Sequence, residues 1–79
     1  ENTRVLSIPY PNPVVDYLNI ELTEFSDIRL LNSCGQLIFR KNKALGNESI
    51  NTSFLNEGVY FLWVESSYQR KVYEIVKAR

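Results

Sequence analysis

Histidine and methionine are absent from this chain of 79 residues, and cysteine occurs once, as Cys34. With no histidine and no second cysteine, neither a zinc site nor an internal disulfide is expected. A nucleophilic cysteine needs a neighbouring base, and the sequence has no imidazole to provide one. Cys34 is therefore predicted to be an unreactive turn residue. No bound metal, cofactor or enzymatic activity is expected.

Charge of one sign and long apolar runs are also missing. Nine acidic residues balance nine basic ones, so the net charge is zero. The densest basic cluster, at 40–43, is too small to indicate a nucleic-acid surface. No run of about 20 apolar residues is present, so a membrane-spanning helix is not expected. The apolar share of 44% favours a folded core over disorder.

The length indicates a single domain over residues 1–79. A chain this short buries only about 60% of the surface of its unfolded state, so its stability is expected to be marginal. Its first residues lack the charged and apolar regions of a signal peptide, and the chain is expected to be a fragment of a longer protein.

The three prolines, Pro9, Pro11 and Pro13, lie at alternate positions. Each fixes its own φ angle, lacks an N–H donor and disfavours a helical conformation in the residue before it. A stiff, non-helical segment is therefore predicted. The alternation of apolar and polar residues at 18–22 then indicates a half-buried strand.

Short apolar segments separated by turn residues continue along the chain, and no segment has helical periodicity of useful length. The predicted strands are 4–8, 18–22, 27–31, 37–40, 48–52, 59–65 and 70–77. Turns are predicted at 32–36, 55–58 and 66–69, with a polar loop at 41–47. We therefore predict an all-β fold, a small antiparallel two-sheet sandwich, immunoglobulin-like, with about seven strands. A small barrel is the alternative.

The segment 59–65 is apolar on both faces, which is typical of a central strand buried on both sides. Its aromatic residues Tyr60, Phe61 and Trp63 are therefore assigned to the core. Gly35 is expected to supply the positive φ angle of the turn at 32–36.

Four blocks of sequence follow one another in a specific order. They are a Tyr-Pro-Asn-Pro segment before a strand, an apolar hairpin with a glycine turn, a Leu-x-x-Gly-x-Tyr pattern, and a terminal strand with lysines. The residues that define these blocks are Tyr10, Pro11, Asn12, Pro13, Gly35, Leu55, Gly58, Tyr60, Lys71 and Lys77. Each block alone is weak evidence, but four in order at matching spacing are specific.

These blocks resemble the type A C-terminal sorting domain of the type IX secretion system, also called the Por secretion system. The resemblance covers nearly the whole chain, and the family's sandwich fold agrees with the strand pattern. Two features depart from the family pattern. Cys34 occupies a turn position that is usually polar, and residues 78–79 extend past the usual closing lysine.

The resemblance implies a secretion signal that directs a covalently linked upstream passenger through the type IX outer-membrane translocon of a Gram-negative bacterium. It implies translocon and sortase proteins at the outer membrane as partners, with sortase removal of the domain and attachment of the passenger to anionic lipopolysaccharide. The chain would be in the periplasm in transit and then at the outer-membrane surface or extracellular. An uncleaved domain retained in a secretion-machinery or sortase-complex component, and a generic immunoglobulin-like binding module, are the alternatives.

The motif residues are expected mainly to specify the fold, with direct receptor contact favoured only for Lys77, because a terminal lysine contributes little to packing. The strand at 70–77 is the expected docking site, because an open sheet edge pairs readily with another strand. Open edges also allow a dimer through paired edge strands.

Overall fold

A computed structural model describes residues 8–79, which form one antiparallel sheet. Its strands are β1 (Tyr17–Asn32), β2 (Leu37–Asn51), β3 (Gly58–Ser66) and β4 (Arg70–Lys77). Their order in the sheet is β2-β1-β3-β4. Residues 8–79 contain no helix that could cross a membrane. The strand predicted at 4–8 lies outside the described residues except for its last position.

The predicted all-β antiparallel fold is confirmed, but the seven strands and the two separate sheets are not. Segments 18–22 and 27–31 both belong to β1, and segments 37–40 and 48–52 both belong largely to β2. The predicted loop at 41–47 lies inside β2. Register shifts near Ser26 explain the difference, because bulges absorb extra residues while the strand continues. Lys43 and Gly46 have positive φ angles on the facing strand.

Both halves of β1 contribute the same face to the core. The buried apolar residues of this strand are Leu18, Ile20, Leu22, Ile28 and Leu30. The first half of β1 pairs with β2, whereas the second half pairs with both β2 and β3. All five side chains nevertheless belong to one cluster with residues of β3 and β4. The sheet therefore curves over itself at the bulges and encloses a single core.

Only one face of β3 is fully buried, so the prediction of burial on both sides was wrong. Tyr60, Leu62 and Val64 are in the core, and the side chains that alternate with them point the other way. Phe61 and Trp63 are half-buried on that opposite face. The assignment of these two rings to the core was therefore also wrong. Adjacent residues of a strand face opposite sides of the sheet, so only every second side chain of β3 reaches the core.

The partly buried Tyr73 makes the stability of the fold depend on pH in the alkaline range. Burial raises the pKa of its hydroxyl above the ordinary value of 10.0. The unfolded chain therefore loses this proton first, and stability falls as the pH rises past about 10. We expect Tyr73→Phe to remove this part of the alkaline loss. Unfolding free energies of both proteins from about pH 8 to about pH 11 check this, and parallel pH profiles would contradict it.

Candidate docking edge

The proline segment at 9–14 connects the two ends of the curved sheet, and we call it the clasp. Tyr10 exchanges two backbone hydrogen bonds with Asn19 of β1, at 2.8 and 2.7 Å. Val14 lies beside β4 instead: its N–H donates to the Val76 carbonyl, and its carbonyl accepts from the N–H of Ala78, both at 2.8 Å. The clasp thus spans from the first half of β1 to the outer edge of β4.

The Asn12 side chain takes the place of a peptide group in this contact. Its Nδ2 donates to the carbonyl of Glu74 at 2.9 Å. Its Oδ1 accepts a 2.9 Å hydrogen bond from the backbone N–H of Val76. Prolines on either side of Asn12 have no N–H, so a side chain with both a donor and an acceptor supplies the pairing instead. This contact gives a physical reason for an asparagine between the two prolines.

The outer edge of β4 is therefore only partly open. The clasp covers the positions from Glu74 to Ala78. Residues 70–73 have no strand paired on that edge within the described part of the chain. Because backbone groups alternate in direction along an antiparallel strand, the N–H and carbonyl of Val72 point outward, as those of Val76 do. The sequence predicted an open edge along the whole strand at 70–77, but only residues 70–73 of that edge are open.

Lys77 is buried, which contradicts the reason given for favouring it as a receptor contact. Only 6% of it is exposed, and it lies on the core face next to the clasp. Its Nζ donates to the Ala78 carbonyl at 2.9 Å. The aliphatic part of the side chain packs while the ammonium group reaches a polar partner, as long cationic side chains often do. Lys71, by contrast, is exposed.

Tyr60 and Leu55 fix the turn before β3. The Tyr60 hydroxyl donates to the carbonyl of Asn56 at 2.8 Å, and Leu55 packs against the core. Gly58 begins β3 with a φ of 151°, which a residue with a side chain rarely adopts. These three motif positions therefore have structural contacts or a backbone requirement of their own.

We expect Tyr60→Phe to lower the free energy of unfolding by about 1 kcal/mol, since it deletes one partly buried hydrogen bond and keeps the ring. Chemical denaturation measures this loss. A variant as stable as the original chain would show that the bond contributes nothing to stability.

The β1–β2 turn depends on Asn32, a residue that the sequence reasoning did not single out. Its Oδ1 accepts hydrogen bonds from the N–H groups of Cys34 and Gln36, at 3.0 and 2.9 Å. Gly35 has a φ of 85°, which confirms its predicted positive angle. Cys34 is exposed in this turn. An asparagine followed by a glycine three positions later is the signal that could have identified the turn contact.

The strands, turns and clasp together match a known class of domain. The model of the secretion system C-terminal sorting domain matches residues 9–78, and the chain belongs to this family. The matched range begins at the first clasp proline and contains every strand.

Among solved structures, the chain is similar to PorZ of Porphyromonas gingivalis, described as an essential bacterial surface component of the type IX secretion system. The TM-score is 0.79 and the sequence identity is 19%, so the likeness shows the fold. The alignment covers 92% of this chain and 11% of the PorZ chain. No curated protein matches the sequence.

Proposed function

We propose that this domain is a secretion signal that directs an attached passenger through the type IX outer-membrane translocon. The observation that carries the proposal is the family match over residues 9–78, which includes the clasp and the complete sheet. In this proposal the domain is in the periplasm during transit and reaches the outer-membrane surface with its passenger. A sortase then removes the domain, and the passenger is attached to surface lipopolysaccharide.

The first half of the β4 edge is the best candidate for recognition by the translocon. Residues 70–73 offer outward backbone groups that a receptor strand can pair with, whereas the clasp occupies the rest of the edge. Arg70 and Lys71 add positive charge at this open half, which favours an acidic receptor segment. The clasp fixes where an added strand would have to end.

A reporter fusion tests the proposed function. Residues 1–79 are placed behind a reporter that carries a periplasmic signal peptide, in a host with type IX secretion and in a translocon-deficient sister strain. We expect surface or extracellular reporter only in the competent host. Loss of the domain, which has a mass of 9.2 kDa, would report cleavage. Reporter that remains periplasmic in both strains would contradict a transferable signal.

Val72→Pro tests the edge separately from the fold. The substitution removes an N–H that points away from β3, so we expect the sheet to remain folded while pairing with a receptor strand is lost. Export of the reporter should then fall by about ten-fold or more. Val72→Thr is the matched control, because it changes the side chain and keeps the N–H. Unchanged export of a folded Val72→Pro fusion would rule out docking at this edge.

A retained, uncleaved domain in a component of the secretion machinery is the second candidate. The fold similarity to PorZ favours it, because PorZ is a surface component of the type IX system. The reporter fusion separates the two candidates by size. A surface reporter that keeps the full mass of the domain supports retention, and one that loses it supports a cleaved signal.

A further inference from the structure

Asn12 covers the second half of the docking edge, the outer side of β4, with a side chain instead of a strand. Backbone groups that point away from β3 alternate along this edge, at residues Arg70, Val72, Glu74 and Val76. Asn12 occupies two of these groups, the carbonyl of Glu74 and the N–H of Val76. The groups of Arg70 and Val72 have no partner strand on this side within the described part of the chain. While the clasp is attached, an added strand can therefore pair with only the first part of the edge.

The two ends of the clasp are attached independently of the Asn12 side chain. Tyr10 forms its two backbone hydrogen bonds with β1, and Val14 forms its two with the end of the chain at β4. Pro9 and Val14 are buried, which anchors both ends by packing as well. Residues 11–13 between them are exposed, so little packing opposes their movement away from β4. The middle of the clasp can thus open locally while the domain stays folded.

A strand competes well against the Asn12 side chain for the same backbone groups. Both hydrogen bonds of this side chain are exposed, and exposed bonds are exchanged for bonds to water at little net cost. An added strand instead forms a continuous ladder of main-chain bonds along the edge. We infer, on the basis of the proposed docking edge, that the Asn12 amide is a removable cover of that edge. A receptor strand takes its place at Glu74 and Val76.

This removable cover regulates access to the docking edge. Before a receptor binds, it shortens the unpaired part of the edge to residues 70–73, which limits pairing with unrelated strands. When a receptor strand binds, pairing extends to Glu74 and Val76 and the contact becomes longer. The apparent affinity for the strand is reduced by the fraction of molecules in which the clasp is open. A variant that lacks the amide is free of this reduction.

Binding of a strand-forming peptide to the purified chain tests the competition. The probe is a short capped peptide of alternating valine and threonine. It is uncharged, because both cations, Arg70 and Lys71, and a carboxylate, Glu74, lie along β4. Amide NMR shifts of β4 during a titration give the dissociation constant and the residues that the peptide reaches. We expect Asn12→Ala to bind the peptide about ten-fold more tightly than the original chain. In the original chain the side-chain amide signals of Asn12 should shift as the peptide displaces it.

Three further variants control this comparison. Asn47→Ala removes an exposed asparagine of β2 and should bind the peptide as the original chain does. Val72→Pro should lose binding with or without Asn12→Ala, because the peptide then lacks a donor on the edge. Asn12→Asp can still accept a hydrogen bond from Val76 but cannot donate one to Glu74, so we expect a smaller gain in affinity. Circular dichroism melting curves must show that each variant is folded.

Equal affinities of the original chain and a folded Asn12→Ala variant for the peptide would overturn the removable cover. Peptide-induced shifts that end at Val72 in both proteins would also overturn it, since the added strand would then stop at the attached clasp. A peptide that binds neither protein would overturn it as well, because the edge would not accept a strand. No translocon takes part in these measurements. Their failure leaves the reporter fusion as a separate test of export, and a reporter that is not exported leaves the measured competition unchanged.

Discussion

Leu62→Ala is expected to cost about 3 kcal/mol of unfolding free energy, which is much of the stability of a domain this small. The side chain of Leu62 is fully buried, and β3 lies between β1 and β4. Its cross-strand neighbours are Leu30 and Tyr73. Removing it leaves a cavity in the centre of the only core cluster within residues 8–79, where the curved sheet has little freedom to collapse.

Val72→Ala is the matched control for this substitution. It also shortens an apolar side chain, but Val72 is 48% exposed on the face of β4 opposite the core. We expect a loss below about 1 kcal/mol. Urea denaturation of both variants measures the difference. Equal losses at the two positions would contradict the assignment of the core to one face of the sheet.

Asn12→Ala is expected to release the clasp from β4. The Glu74 carbonyl and the Val76 N–H each lose their side-chain partner, and no group of alanine can replace it. Because water can reach these edge groups, we expect a loss of about 1–2 kcal/mol rather than the full cost of two buried unpaired groups. Local opening should raise amide exchange at Val76 by roughly ten-fold or more.

Asn47→Ala is the control for Asn12→Ala, since Asn47 is an exposed asparagine on β2. Amide hydrogen exchange along β4 in the Asn47→Ala variant should match that of the original chain. Protection at Val76 that persists in Asn12→Ala would show that the backbone contact of Val14 holds the clasp without the amide side chain. The contact between Val14 and Val76 would then be the primary attachment.

The family, the all-β class and the positions of the main turns could be predicted from the sequence because they depend on local signals. Gly35 with its turn residues and the alternation at 18–22 are such signals. The number of strands could not be predicted in the same way. Bulges near Ser26 let polar residues lie inside long strands, and polar residues without alternation resemble a loop.

Contacts between residues far apart in the sequence were the second feature that could not be predicted. Asn12 bonds to residues more than 60 positions away, and nothing in its immediate neighbours indicates this. Lys77 was expected to contribute little to packing because it is a terminal lysine, yet it is buried on the core face of β4, where its ammonium group donates to the carbonyl of Ala78. Phe61 and Trp63 were assigned to the core from their apolar character. Side chains alternate between the two faces along β3, and these two lie on the face opposite the core.

The most direct measurement of the central claim is the surface-exposed fraction of a reporter that ends in residues 1–79, compared between a translocon-competent host and its deficient sister strain. Protease accessibility on intact cells gives this fraction. The expected result is an accessible reporter in the competent host and a protected, periplasmic reporter in the deficient one. A reporter that is protected in both hosts, although the domain is folded, would contradict the claim that this chain is a secretion signal.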